Sequence, residues 1–304
     1  MDYDIIIVGG GPAGLTAALY ALRANKRVLI IEKNTFGGQV TYSPKIENYP
    51  GFIQMSGNEF ADKLVDQVLS HGADVEIAEV ISVSDTDGVK TVVTDTGKFT
   101  SAAVIIATGA RHRTLGLDNE ENLIGHGISF CAVCDGAFCN GKTVAVVGGG
   151  NSAMQEAILL TENAKKVYVI QDLDFLTGEE KLAEQLKGNE KIEIITGSLV
   201  KELIGENELE AIVIENSHSG EKTEIKLDGL FIAIGLVPQN GNFSDMIELD
   251  EKGYAAADES CLTKTKGVFV AGDCRTKAVR QITTAVSDGA AAALAACKYL
   301  ESRR

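Results

Sequence analysis

The hydrophobic residues of this chain form short β-branched runs that end in glycine, and polar or helical segments separate the runs. The first run, Tyr3–Val8, leads into the turn 9–14 (Gly-Gly-Gly-Pro-Ala-Gly), an apolar helical stretch and a second strand that ends before Glu32. Gly-x-Gly-x-x-Gly spacing permits a tight turn, close approach of the backbone to a pyrophosphate and packing of helix on strand, while an acid about 20 residues further on binds ribose hydroxyls. The pattern predicts a βαβ dinucleotide-binding unit.

The same pattern recurs in the middle of the chain. Strand Thr143–Val147 precedes the turn 148–153 (Gly-x-Gly-x-x-Ala), a helical stretch and strand Lys166–Ile170. Residues 104–109 and 230–235 are also alike, since each is a β-branched run that ends in a small residue and glycine. Because repeated motifs indicate a repeated structural unit, the sequence predicts two related nucleotide-binding folds.

Shorter alternating segments predict antiparallel strands attached to each fold. They lie within residues 72–100 and 199–227, with turn signals such as Asp87-Gly88 between them. Near the C-terminus, residues 267–273 read as a buried strand that ends in an acid, and an alanine-rich helix runs from about 282 to 300.

If this C-terminal strand joins the first sheet, the second fold is inserted in the first. We therefore predict an α/β protein with two Rossmann-like, three-layer ββα nucleotide-binding domains, each with an antiparallel β excursion. The first domain would comprise residues 1–112 and 238–304, and the inserted domain residues 113–237.

Composition and charge narrow the functional classes. The chain has 304 residues, of which 45% are hydrophobic and 23% charged, as is usual for a globular protein. A strand begins near the N-terminus without a basic leader, and no apolar run approaches the ~20 residues of a membrane helix, so we expect a cytoplasmic protein. The formal charge of −15 argues against nucleic acid and anionic membranes as partners.

A Cys-Ala-Val-Cys motif lies between the two glycine turns. Cys131 and Cys134 are close enough in sequence to bridge, and Asp135 can supply the proton that a departing thiolate needs. Half a zinc site is an alternative, and Cys139 extends the motif toward an iron–sulfur pattern. Both alternatives need a fourth ligand. We therefore expect a redox disulfide that receives its electrons from a flavin, and no metal. The other cysteines are isolated and are expected, with Cys139, to be buried small residues: Cys261, Cys274 and Cys297.

Together these motifs resemble the low-molecular-weight thioredoxin reductases over essentially the whole chain. The order and spacing of the motifs make a coincidence improbable. The resemblance is carried by residues 9–14, 37–39, 47–51, 107–110, 131–136, 271–273 and 280–281.

The resemblance implies that FAD lies across the first fold. Glu32 would contact the adenosine ribose, Gln39 and Asn48 the isoalloxazine region, Asp273 the ribityl and pyrophosphate region, and Gln281 the far edge of the ring. The full set of implied cofactor-binding residues is Gly9, Gly11, Pro12, Ala13, Gly14, Glu32, Lys33, Gly38, Gln39, Asn48, Val80, Ala107, Thr108, Gly109, Gly272, Asp273, Arg280, Gln281 and Ile282.

The resemblance also implies roles for the dithiol. Cys134 would be the sulfur nearest the flavin, Cys131 would attack the disulfide of thioredoxin, and Asp135 would act as acid and base. The enzyme would be a thioredoxin-disulfide reductase and a homodimer, with an inserted domain that rotates to show the pair alternately to flavin and to thioredoxin.

The chain departs from the family where NADPH-dependent members bind the 2′-phosphate. Their His-Arg-Arg stretch and a further Arg are replaced here by Gln171, Asp172, Leu173 and Thr177. The surrounding segment is acidic, so NADPH is disfavoured. Two explanations remain: Asp172 could bind the 2′-hydroxyl of NADH, or the electrons could come from ferredoxin, as in a known type of flavin thioredoxin reductase. We favour ferredoxin.

Ferredoxins are usually acidic, so docking on this acidic protein requires a local basic patch. The alternative role of these basic residues is scattered charge that keeps the protein in solution. The alternative function of the whole chain is that of a redox-sensing flavoprotein with slow turnover. The candidate patch residues are Lys26, Arg27, Lys264, Lys266, Arg275, Lys277 and Arg280.

Overall fold

The structure is a computed structural model, which describes residues 1–43 and 45–303. It comprises two compact units. The first unit is formed by Met1–Arg111 and Val237–Arg304, and the second unit by His112–Leu236. Both boundaries lie one residue before the positions expected from the sequence.

The strands and helices follow one another in the order that the hydrophobic pattern predicts. Up to the first boundary they are β1 (Tyr3–Val8), α1 (Pro12–Arg23), β2 (Val28–Glu32), α2 (Gly57–Ser70), β3 (Asp74–Ile77), β4 (Val80–Thr86), β5 (Val89–Thr94), β6 (Lys98–Ile106) and β7 (Ala110–His112). The following elements are α3 (Glu120–Leu123), β8 (Ile128–Ser129), α4 (Ala132–Asp135), β9 (Thr143–Val147), α5 (Asn151–Leu160), β10 (Lys166–Ile170), α6 (Glu180–Lys187), β11 (Ile192–Ile195), β12 (Ser198–Ile204), β13 (Ala211–Asn216), β14 (Lys222–Lys226) and β15 (Gly229–Ile232). The last are β16 (Leu236–Pro238), β17 (Val268–Val270) and α7 (Ile282–Ser302).

The first unit is built on a seven-stranded sheet. Its order is β3-β2-β1-β6-β5-β4, and β17 pairs with β6. Strands β1, β2, β3, β6 and β17 are parallel to one another, whereas β4 and β5 pair in antiparallel fashion next to β6. The pairing of β17 with β6 places the C-terminal strand in the first sheet, so the chain leaves this sheet and returns to it.

Alternation along β1 separates the two faces of the first sheet. Ile5 and Ile7 pack in the cluster that includes α1 and α7, whereas Ile6 and Val8 pack with Val83 of β4 and other residues of the opposite face. Successive side chains of a strand point to opposite faces, so one strand contributes to both cores.

The second unit repeats this plan on a smaller scale. Its parallel sheet has the order β11-β10-β9-β15-β8, and β12, β13 and β14 form a separate antiparallel sheet. Along β9, Val144 and Val146 pack with α5 and α6, whereas Ala145 and Val147 pack with the antiparallel strands. The predicted fold class, two Rossmann-like ββα folds, is confirmed.

Within residues 1–43 and 45–303, none of the helices has the length and apolar character that a membrane crossing requires.

Two glycines of the first unit permit backbone contacts that a side chain would prevent. A Cβ at Gly14 would lie 1.9 Å from the carbonyl oxygen of Gly9, so α1 can begin directly against the turn. A Cβ at Gly289 would lie 2.2 Å from the carbonyl oxygen of Ala13, which brings α7 against the start of α1. The glycine turn is therefore held between two close backbone contacts.

Gly289→Ala should destabilise the first unit, because its methyl group meets backbone and α7 must move away from α1. We expect a loss of about 1–3 kcal/mol in the free energy of unfolding, as for other overpacked sites. Urea unfolding measures it, with Gly97→Ala as the control, because a Cβ there would meet nothing within 4 Å. Equal stability of the two variants would contradict the close contact.

Candidate functional site

The first glycine turn forms a cradle with room for an anion. Gly9 has a φ of +111°, and a Cβ there would lie 2.3 Å from the carbonyl oxygen of Ala107. At Gly11 the nearest atom to a Cβ would be 3.9 Å away, so the space beside the start of α1 is open. Pro12 is the first residue of α1, and none of the described side chains caps this end. Open N–H groups at a helix N-terminus bind phosphate, so the turn fits a pyrophosphate.

Glu32 lies at the edge of this cradle. Its Oε2 accepts the Gly10 N–H at 2.7 Å and its Oε1 accepts the Asn34 N–H at 2.9 Å. The carboxylate is thus fixed next to the turn, where a carboxylate can also accept ribose hydroxyls.

A second carboxyl, that of Asp273, lies in the short 3-10 turn Gly272–Cys274 of the same unit. Its Oδ1 is buried and has no hydrogen-bond partner among the described residues, and burial raises the pKa of the group. A buried carboxyl oxygen without a partner calls for a donor from a ligand. A ribityl hydroxyl is such a donor, so this residue fits the implied cofactor.

Other implied FAD residues of the first unit are brought together in pairs. Asn48 Nδ2 donates to Gln281 Oε1 at 3.2 Å, and Arg280 donates to the Asp273 carbonyl oxygen at 3.3 Å. Gln39 lies in the 3-10 turn Gly38–Tyr42, which follows the cradle. The remaining residues stay predictions at these positions: the exposed Lys33, the buried Val80 at the start of β4, Gly109 after β6, and Ile282 at the start of α7.

Thr108 reveals a residue that sequence reasoning missed. Its Oγ1 donates to Asn240 Oδ1 at 3.2 Å. Asn240 is buried, and its Nδ2 donates to the carbonyl oxygens of Gly253 and Cys274. Asn240 therefore ties the strand end at Thr108 to the Asp273 turn. Only its position near the predicted domain boundary could have drawn attention to it.

The Cys-Ala-Val-Cys motif forms a disulfide in the second unit, as predicted. Cys131 and Cys134 are bonded, with Cα atoms 5.3 Å apart, and the Cys131 Sγ accepts the Cys134 N–H at 3.2 Å. Cys139 is buried, its thiol donates to the Asp135 carbonyl oxygen, and burial raises its pKa to about 11. The disulfide uses both sulfurs that a zinc or iron–sulfur site would need. The isolated cysteines Cys261, Cys274 and Cys297 are buried, as expected.

Asp135 is held next to this disulfide by a serine. Its Oδ2 accepts a hydrogen bond of 2.5 Å from Ser129 Oγ, which itself accepts the Cys131 N–H at 3.1 Å. The Oδ1 of Asp135 is buried without a partner in the described part of the chain. Burial raises the pKa of this carboxyl, and the Ser129 bond offsets the rise only in part. A carboxyl of raised pKa beside a disulfide can hold and release a proton.

The second glycine turn repeats the geometry of the first, but the residue beside it is an amide and not an acid. A Cβ at Gly148 would lie 2.6 Å from the Ala233 carbonyl oxygen. Ile170 pairs with Val147 as Ile31 pairs with Val8, so Gln171 corresponds to Glu32.

The alternative in which Asp172 takes the acidic position of an NADH-binding domain is not supported by the strand register. Asp172 lies one position beyond Gln171, the residue that corresponds to Glu32. It is exposed, and its Oδ1 accepts the N–H of Leu173. Gln171 instead packs on the turn, since a Cβ at Gly149 would lie 2.5 Å from its Cδ.

Comparison with known proteins identifies the family. The family profile "Pyridine nucleotide-disulphide oxidoreductase" matches residues 3–289. The chain belongs to this family.

Similar proteins cover nearly the whole chain. The "34.2 kDa protein in rubredoxin operon" of Clostridium pasteurianum is 42% identical over 298 residues, which are 98% of this chain and 97% of the relative. The thioredoxin reductase of Bacillus subtilis (strain 168) is 40% identical over 300 residues, 98% and 95% of the two chains. The crystal structure of thioredoxin reductase from Streptococcus pyogenes MGAS5005 has a TM-score of 0.94 and 42% identity, with 99% and 98% covered.

This disulfide oxidoreductase is a flavoprotein with FAD as its cofactor. The open cradle at Gly11 and the unpartnered oxygen of Asp273 fit FAD. When bound, FAD would act as a carrier of two electrons. The chain supplies an anion site at the start of α1 and carboxyl acceptors for hydroxyl groups.

A buried ion cluster supports the Asp273 turn of the oxidoreductase. Asp288 on α7 accepts hydrogen bonds from Arg275 Nε at 2.8 Å and Nη2 at 2.7 Å, from Lys277 Nζ at 2.9 Å, and from the N–H of Gly272 at 3.0 Å. Burial acts to raise the pKa of Asp288, but the bonds from Arg275 and Lys277 outweigh it, so the pKa is lowered. An acid in the middle of the alanine-rich segment of α7 was the sequence signal for this cluster.

The cluster corrects two predictions of exposed positive charge. Arg275 and Lys277 are buried against Asp288, with side chains 2% and 5% exposed, and do not belong to a docking patch. Arg280 is half-buried and stacks on Tyr254, with its guanidinium carbon 4.2 Å from the ring centroid. Lys264 and Lys266 remain exposed.

Asp288→Ala should cost about 3–5 kcal/mol in the free energy of unfolding. Among the described residues it leaves the buried Lys277 without an ion-pair partner and Arg275 with the exposed Glu259 alone. The folded pKa is lowered, so the stabilisation is complete above the unfolded pKa and disappears as the pH falls through the folded pKa. Urea unfolding should show a large deficit at neutral pH that shrinks in acid. Lys222→Ala, which breaks an exposed pair with Glu202, is the control and should cost less than about 1 kcal/mol.

Proposed function

We propose that this protein reduces the disulfide of thioredoxin through Cys131 and Cys134, with electrons from reduced ferredoxin. The proposal is carried by the disulfide of these two residues next to the carboxyl of Asp135, whose buried Oδ1 has no hydrogen-bond partner among the described residues. Family membership and the relatives named thioredoxin reductase support it. In this proposal the first unit binds FAD, the second unit presents the dithiol, and the enzyme acts in the cytoplasm as a homodimer.

Thiol–disulfide exchange assigns a task to each residue. The Cys131 thiolate attacks one sulfur of the thioredoxin disulfide, so a mixed disulfide forms and the other thioredoxin sulfur leaves as a thiolate. Cys134 then attacks Cys131, which restores the enzyme disulfide and releases thioredoxin as a dithiol. Two electrons pass to thioredoxin in this cycle. Asp135 holds the proton that a leaving thiolate takes up.

The choice of donor rests on the loop after β10. Residues 171–179 contain no lysine or arginine, whereas Asp172 and Asp174 are exposed in this loop. A 2′-phosphate needs a cation that binds it, so the loop disfavours NADPH. Gln171 stands where an NADH-binding domain has its acid, which weighs against NADH as well.

A ferredoxin must be recognised by charge on an otherwise acidic protein. Of the candidate basic residues, Arg27, Lys264 and Lys266 are exposed on the first unit. Complementary charge mainly accelerates encounter and makes it sensitive to salt. These three residues are the remaining candidates for docking.

Cys131→Ser should lower thioredoxin turnover by at least about 10²-fold, because the attacking sulfur is lost. Flavin reduction by dithionite should remain. Cys139→Ser, a change at a buried thiol of raised pKa, is the matched control and should retain activity. The assay follows thioredoxin dithiol formation with dithionite-reduced enzyme. Full activity of Cys131→Ser would overturn the assignment.

Cys134→Ser identifies the attacking sulfur. The partner is a single-cysteine thioredoxin whose thiol forms a mixed disulfide with thionitrobenzoate. Since this variant keeps Cys131, after reduction its thiolate should displace thionitrobenzoate and form a stable disulfide-linked complex with thioredoxin. Cys131→Ser should form this complex much more slowly. The opposite result would exchange the roles of the two sulfurs.

The donor is tested by anaerobic stopped flow, which follows the bleaching of flavin absorbance. Reduced ferredoxin should bleach the flavin at least about tenfold faster than NADPH or NADH at equal concentration. Residues 171–179 have no cation for the 2′-phosphate of NADPH, and Gln171 replaces the acid that binds NADH. Reduced rubredoxin is a further arm because a relative is described by a rubredoxin operon. Rapid bleaching by NADH alone would identify NADH as the donor in place of ferredoxin. Failure of the enzyme to reduce any thioredoxin would favour a redox sensor.

A further inference from the structure

A glutamate of α5 contacts the helix that carries the disulfide. The carboxyl of Glu156 accepts the backbone N–H of Ala132, the residue between Cys131 and Val133. This N–H belongs to the first residue of α4, where a helix leaves its N–H groups without internal partners. Glu156 therefore lies at the first turn of α4.

The other oxygen of Glu156 has no comparable contact. Oε2 is buried and has no hydrogen-bond partner in residues 1–43 and 45–303. Burial raises the pKa of Glu156 to about 7, and the bond from Ala132 offsets only part of the rise. A carboxyl in this state changes its charge with small changes in its surroundings.

The charged neighbours of α5 do not neutralise this carboxyl. The helix packs against α4, α6, β9, β10 and the 3-10 turn Gly136–Cys139. No ion pair joins Glu156 to a cation in the described part of the chain, and Lys166 pairs with Glu193 instead. The titratable residues on those elements, apart from the disulfide cysteines, are Asp135, Cys139, Lys166, Tyr168, Glu180, Lys181, Glu184 and Lys187.

We propose that Glu156 is a positioning residue of the redox pair, which holds α4 through Ala132 and takes up a proton when the Cys131–Cys134 disulfide is reduced. The inference deepens the proposed function and rests on the redox activity of this disulfide. It gives the centre a second carboxyl besides Asp135.

The charge balance explains the proton uptake. Reduction adds two electrons, breaks the sulfur–sulfur bond and leaves two thiolates, which together bind up to two protons from solvent. One sulfur of a reduced Cys-x-x-Cys pair stays a thiolate near neutral pH because the motif lowers its pKa. A new negative charge near Glu156 raises the pKa of the carboxyl, so Glu156 binds a further proton from solvent.

Because reduction of the disulfide raises the pKa of Glu156, the protonation state of Glu156 must in turn change the equilibrium of reduction. A neutral Glu156 favours the reduced state, whereas an ionised Glu156 opposes it. Reduction of the wild type should therefore become less favourable, by more than the thiols alone explain, as the pH rises above 7.

Glu156→Gln separates the two roles, because the amide oxygen still accepts the Ala132 N–H but the side chain no longer titrates. At pH 8.5 we expect an equilibrium constant for disulfide reduction about tenfold greater than in the wild type, which corresponds to a coupling of one pKa unit. At pH 6 the two proteins should agree. Holoenzyme equilibrated in dithiothreitol buffers, followed by thiol labelling of the pair, gives the constant.

Two further variants complete the design. Glu162→Gln removes an exposed charge just after α5 and should follow the wild type at both pH values. Glu156→Ala removes the acceptor as well as the charge, so it should also slow exchange with a small disulfide, whereas Glu156→Gln should not. Infrared difference spectra of the wild type give a second readout, a protonated carboxyl band that appears on reduction and is absent from Glu156→Gln.

The outcomes are distinct from those of the proposed function. If the disulfide resists reduction in every buffer, the redox role of the pair fails. If the pair is reduced normally but Glu156→Gln parallels the wild type at both pH values, only the role of Glu156 is overturned. Absence of the carboxyl band in the wild type would overturn it independently of any variant.

Discussion

The close approach of each glycine turn to a neighbouring strand determines where both nucleotide-binding folds can hold a ligand. In the first unit a Cβ at Gly9 would lie 2.3 Å from the Ala107 carbonyl oxygen, and in the second unit a Cβ at Gly148 would lie 2.6 Å from that of Ala233. Both glycines have positive φ angles, +111° and +130°. Backbone contact at this distance requires glycine, so the same constraint is met twice in one chain.

The local pattern allowed the sequence to predict the strands, the glycine turns and the disulfide, because each depends on residues near one another in the chain. The cluster around Asp288 was not predicted, and Arg275 and Lys277 were instead assigned to a surface patch. A lysine that binds a buried carboxylate and a lysine in water look alike in a sequence. Asn240 was missed for a related reason, since its partner Thr108 is 132 residues away. Such pairings arise only from the packing of distant segments.

Each unit has its own glycine turn, but the residue beside the turn differs, since it is Glu32 at the end of β2 and Gln171 directly after β10. In the first unit Glu32 accepts the Gly10 N–H, whereas in the second unit an amide side chain, Gln171, packs on the corresponding turn. Counting residues from the glycines suggested Asp172 for this position and was wrong by one residue. The strand register, which pairs Ile170 with Val147, decides the position, and no count along the chain measures register.

Buried carboxyl groups that stabilise the fold differ in their partners from buried carboxyl groups at the candidate functional sites. Asp288 has its charge matched by Arg275 and Lys277, as a buried carboxylate requires for stability. In the described residues, by contrast, the buried side-chain oxygens without a partner belong to Asp273, at the cofactor turn, and to Asp135 and Glu156, around the disulfide. An unpartnered buried oxygen destabilises a protein unless a ligand or a change of charge completes it. At Asp273 a bound hydroxyl can do so, whereas at the disulfide the proposed proton uptake would complete these oxygens.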